Sequence, residues 1–171
     1  VLILNSDRGL DLEDESYYIL VASFPSEIFS VITHEKYYTG LLFYLSGYNL
    51  FIFRIFGIII LLLSSFWFSL ELYCYIEKKF LLNYDFYNKL YFILIILLSS
   101  LSYYVWWLLT PSYNWLSLVS MILISSSIFR IFNEANKIKG KMMRETLKKI
   151  LLPLFVLVIM IQAWSMTAKY I

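Results

Sequence analysis

Asp14 and Glu15 are adjacent carboxylates, followed at once by Tyr17 and Tyr18, in a stretch that also holds Asp7, Asp11 and Glu13. Two carboxylates side by side at a low-dielectric boundary repel, which favours protonation of one and makes it a better general base. The same pair also suits a solvated helix start, where acids favour the dipole. Arg54 is the second residue of interest, because it lies near one end of a long apolar run. A charge inside a membrane span costs roughly 2.5–3.5 kcal/mol at the centre, less towards the interface. Arg54 is therefore expected either to snorkel outward or to pair with Asp14 or Glu15. The third group is His34-Glu35-Lys36-Tyr37-Tyr38. Its lone histidine suits a surface position better than a metal site, and Glu35 is the better candidate for sugar hydroxyls or a cation.

These residues are set in an unusually apolar chain. Of its residues 61% are hydrophobic and 15% charged, and the mean hydropathy is +0.73. Soluble domains carry about 25% charged residues. Here the apolar excess is gathered in runs near the roughly 20 residues that cross a hydrocarbon core, which predicts an all-α, polytopic transmembrane bundle. Cys74 is the only cysteine, so an intrachain disulfide and a multi-thiolate metal site are excluded. No cofactor is specified; a divalent cation is left open.

Four spans are expected, at about Phe51–Tyr73, Leu90–Leu109, Trp115–Phe132 and Ile150–Thr167. The second and third are joined by a tight turn around Pro111 and Asn114. Ser99-Ser100 and Ser125-Ser126-Ser127 are expected to allow close helix packing. The charges give the orientation. Residues 1–50 hold seven acids and two bases, whereas 129–149 hold seven bases and two acids. Lys78, Lys79 and Lys89 add a second basic loop, two crossings away. The positive-inside rule places loops 77–89 and 130–149 in the cytoplasm and residues 5–50 outside. A basic loop flanked by spans reads as an orientation signal, so no nucleic-acid partner is expected.

Residues 1–50 are expected to form an extracytoplasmic segment of amphipathic juxtamembrane helices. Asp11 is expected to cap a helix on which Asp11, Asp14, Glu15 and Tyr18 share a face. Pro25 would end it, Ser26 would cap a second helix over Glu27–Ile32, and a third stretch would run over Tyr37–Leu45 and stop near Gly47. Val1-Leu2-Ile3-Leu4 reads as the end of a truncated membrane helix, which would make the chain a fragment.

The order Asp14-Glu15-Ser16-Tyr17-Tyr18, His34-Glu35-Lys36-Tyr37-Tyr38, Gly47-Tyr48-Asn49-Leu50, Arg54-Ile55-Phe56-Gly57 resembles the N-terminal part of bacterial GT-C glycosyltransferases. These are the multispanning enzymes related to protein O-mannosyltransferases and lipid A aminoarabinose transferases. The resemblance covers roughly residues 3–60 and departs at His34-Glu35-Lys36, where many relatives have His-Pro-Pro. It implies a bacterial inner membrane, and inverting transfer of a sugar from a polyprenyl-phosphate donor to an extracytoplasmic acceptor. Asp14 would be the catalytic base, and Glu15 would orient the acceptor or hold Asp14. Arg54 would balance their charge or meet the donor phosphate, with Tyr17, Tyr18 and Glu35 on the substrate side. Membrane lipid and the lipid-linked sugar are then the partners. Two other readings stand beside this one. One is a small non-catalytic membrane assembly subunit whose acidic segment binds a partner. The other is a transporter using Arg54 and Glu71, the ionisable residues of the first span.

Overall fold

The computed structural model describes residues 14–26, 35–80, 86–106 and 109–137. The stub at 1–4, the Asp11 cap, the helix expected over Glu27–Ile32, His34 and the fourth span lie outside the described residues. Within them the chain is all helical: α1 (Asp14–Ser23), α2 (Glu35–Leu45), α3 (Leu50–Phe80), α4 (Phe86–Leu101), α5 (Tyr103–Trp106) and α6 (Tyr113–Lys137).

Two of these helices, Leu50–Phe80 and Tyr113–Glu134 within α6, are long and apolar enough to cross a membrane by length and composition. With 31 residues, α3 is about 46 Å long at 1.5 Å per residue. It runs two turns beyond the expected end at Tyr73, and α6 likewise continues past Phe132. The second span needs a larger correction. Helix α4 starts earlier, at Phe86, and stops at Leu101 rather than Leu109, after 16 residues. Serines explain the break. The Ser102 N–H is shared between the Leu98 and Ser99 carbonyls at 3.2 Å each. The hydroxyls of Ser100 and Ser102 donate to Leu97 O (2.8 Å) and Ser99 O (2.6 Å). Such side-chain bonds compete with the helix ladder.

Helices α3 and α6 lie side by side and run parallel. Trp115, near the start of α6, donates its indole N–H to Gly57 O at 3.1 Å, and the late residues Glu71 and Asn133 meet at the other end. Helix α4 returns antiparallel along α3, bringing Phe92 within 5.7 Å of Tyr73, ring to ring. The main core joins Ile58 and Leu61 of α3 to Tyr104, Leu109, Trp115 and Val119. A second core, Ala22, Phe43 and Phe53, ties α1 and α2 to the start of α3. Gly40 allows that approach: a Cβ there would lie 3.0 Å from Ala22 O.

Polarity is distributed the opposite way from a water-soluble bundle. Leu63, Leu94, Ile95, Leu98 and Met121 are exposed, whereas Ser64, Ser65, Ser69, Ser120, Ser126 and Ser127 are buried. Several of these serines return their hydroxyls to their own helix, as Ser126 does to Ile122 O at 2.7 Å. Ser126 and Ser127 thus pack as expected, but Ser99 is exposed.

Candidate functional site

The site begins with the way the chain enters α3. Gly47 and Tyr48 both adopt left-handed backbone, with φ of 65° and 58°. The Tyr48 N–H reaches back to Phe43 O (3.1 Å) and that of Gly47 to Tyr44 O (2.9 Å). This is a Schellman end to α2, completed by an edge-on contact between the Phe43 and Tyr48 rings at 5.4 Å. Asn49 then caps α3 through its side-chain oxygen, which accepts from the Ile52 N–H at 3.2 Å. One turn later comes Arg54, on the face of α3 that carries Phe53, Gly57 and Ile58 into the interior.

Arg54 does not snorkel. Its side chain and that of Glu15 are both 0% exposed. The pairing is bidentate: Nε donates to Glu15 Oε1 at 3.1 Å and Nη2 to Oε2 at 2.8 Å. Glu15, one of the two acids expected as partners, is thus paired with Arg54. Thr110 completes the cluster: its hydroxyl donates to Glu15 Oε1 and faces Arg54 Nε at 3.4 Å. A buried ion pair persists only when further hydrogen bonds satisfy its remaining lone pairs, and Thr110 supplies one.

The turn expected around Pro111, which carries Thr110, is packed into the interior. Leu109, Thr110, Pro111 and Ser112 are all buried, and the Pro111 ring packs against Gly57, where an added Cβ would lie 2.7 Å from Pro111 Cγ. Protein thus surrounds this stretch of non-helical backbone. Nearby, Tyr103 Oη and Ser112 Oγ are 3.5 Å apart. Sequence reasoning missed Thr110. Its signal was a threonine before a proline between two apolar runs, with nothing local to pair it with Glu15.

Asp14 is the first residue of α1; its side chain lies outside the described residues. Tyr17 is 43% exposed and meets Tyr18 edge-on at 5.8 Å, while Tyr18 is half-buried. Glu35 opens α2 and is 2% exposed, buried with Lys36 and Thr39; Thr39 donates its hydroxyl to Glu35 O at 3.1 Å. Burial raises the Tyr38 phenol above its ordinary range. Among the described residues no three His, Cys, Asp or Glu side chains converge as metal ligands would.

A second polar node closes the far end of the α3–α6 pair. Asn133 donates its amide to Glu71 O (2.8 Å) and Oε2 (3.0 Å). Arg130 Nη1 reaches Glu71 Oε1 at 3.2 Å, and Lys78 Nζ donates to Asn133 O at 3.2 Å. Glu71, expected as an ionisable residue near the inner end of the first span, is thus partnered. Compared with known proteins, the chain matches no family model, no curated protein and no solved structure.

Proposed function

We propose that the chain is an integral membrane protein that takes part in moving a sugar from a polyprenyl-phosphate donor to an extracytoplasmic acceptor, with Asp14 as the base. The membrane part is supported by the greasy exterior and polar interior, the pattern suited to lipid as solvent. Its orientation is residues 5–50 outside and loops 77–89 and 130–149 in the cytoplasm of a bacterial inner membrane. The gathering of Lys78 and Arg130 at one end of the α3–α6 pair supports that orientation.

The observation that carries the transfer part is the buried Glu15–Arg54–Thr110 cluster. It fastens α1 to the first turns of α3, so the backbone of Asp14, one residue before Glu15, is held at the same end. A carboxylate there faces a lipid-borne electrophile without the donor leaving the bilayer. Asp14 takes the proton of an acceptor hydroxyl or amine as its oxygen or nitrogen attacks the anomeric carbon. The bond from that carbon to the phosphate oxygen breaks, polyprenyl phosphate departs with the electron pair, and the configuration inverts. Glu15, with both oxygens engaged, holds α1 in register. Arg54 balances the Glu15 charge, so the donor phosphate is met by other groups. Tyr17 offers an exposed ring close to Asp14 in sequence.

The test uses the full chain in liposomes with radiolabelled polyprenyl-phosphate sugars, hexoses and pentoses in turn. Asp14→Asn is expected to lower transfer by about 10²–10⁴-fold while insertion is unchanged. Undiminished transfer by Asp14→Asn overturns the base role. Absence of transfer from every donor by the full-length protein that contains these residues overturns the reaction.

A further inference from the structure

We propose that the groove between α3 and α4, at the lysine-bearing end of the bundle, binds one anionic phospholipid. The groove is lined by Tyr73 and Ile76 of α3 and by Asn88 and Phe92 of α4, and has a volume of about 220 Å³. Its walls are chiefly apolar, so they suit hydrocarbon. The cation is Lys89, whose Nζ lies 5.7 Å from the centre of the Tyr73 ring. The ammonium is therefore held beside the groove rather than ranging through solvent.

An apolar trough ending at a positioned ammonium matches an acyl chain ending at a phosphate. The groove lies against the first turn of α4, the end of a helix that favours negative charge, and the Asn88 amide there can donate to phosphate or glycerol oxygens. Basic pockets between helices on the cytoplasmic side recognise anionic headgroups through these features. Lys79 provides an internal contrast. Its Nζ lies over the rings of Tyr75 (5.5 Å) and Phe80 (5.7 Å), and Tyr75 faces Phe129 of α6, away from the groove. The proposal rests on the membrane reading above and is independent of sugar transfer.

The experiment is native mass spectrometry of the full chain released from nanodiscs that contain phosphatidylglycerol and phosphatidylcholine in equal amounts. The unaltered chain is expected to retain one phosphatidylglycerol in preference to phosphatidylcholine. Lys89→Glu should weaken that retention about tenfold, and Phe92→Trp, which fills the groove, should displace either lipid. Lys79→Glu should leave it unchanged. Equal retention of the two lipids, no effect of Lys89→Glu, or an equal effect of Lys79→Glu overturns the site; the last would mean diffuse surface charge. A chain extracted from membranes by alkaline carbonate would overturn the membrane reading itself, and the groove with it.

Discussion

The two ends of the α3–α6 pair use the same chemistry, a carboxylate on a guanidinium, in opposite surroundings. Glu15 and Arg54 are both 0% exposed, whereas Arg130 is 47% and Glu71 13% exposed. The first pair is bidentate and draws in a third segment through Thr110. The second has one guanidinium contact and is supplemented by the Asn133 amide. The difference teaches that burial and valence, not the identity of the pair, set what each contributes. A buried pair stripped of one partner leaves an unneutralised charge, at a cost of about 3–5 kcal/mol. An exposed pair is worth about 0–1 kcal/mol. The first node fixes which segments meet, and the second trims a contact that buried serines and aromatic rings already make.

Replacing Glu15 by Gln gives the sharpest test of that contrast. It should lower stability by about 3–5 kcal/mol, read as a fall in the thermal unfolding midpoint in detergent. Replacing Glu15 and Arg54 together by Leu and Met should recover much of the loss. A fall within the range of a surface pair would mean that water reaches the node, and the contrast would collapse. Thr110→Val should come next, at about 1.5–3 kcal/mol for a hydrogen bond to a charged group. Thr110→Ser keeps the hydroxyl and should lose much less. If the two variants unfold together, Thr110 acts by packing alone. The smallest effect belongs to Arg130→Gln, at about 1 kcal/mol or less and shrinking further as salt is added. A salt-insensitive loss as large as that of Glu15→Gln would make the two nodes equivalents.

The end of α1 before Pro25 and the stop of α2 near Gly47 were legible because each has a local cause: a proline without an N–H, or a glycine free to take positive φ. The pairing of Arg54 with an acid was half legible. Cost argued for a partner, but nothing in the spacing foretold the bidentate fit with Glu15. Termination of α4 at Leu101 was missed, because hydropathy adds up side chains and does not register serines that bond to backbone carbonyls. Asn133, which holds Glu71 from one residue beyond the expected end of its span, was missed for a related reason: a single amide barely changes a hydropathy sum.

The sequence by itself determined that the described residues are helical, that the runs in α3 and α6 are long and apolar enough to cross a bilayer, and where the charges gather. Those properties are sums over neighbouring residues. The tertiary structure alone decided that Glu15, Arg54 and Thr110 form one buried cluster. Arg54 lies 39 residues from Glu15 and Thr110 lies 95 from it, so their meeting depends on how α1, α3 and the 109–112 turn pack. Burial then makes each of these contacts matter, because a buried charge must be met by protein groups in place of water.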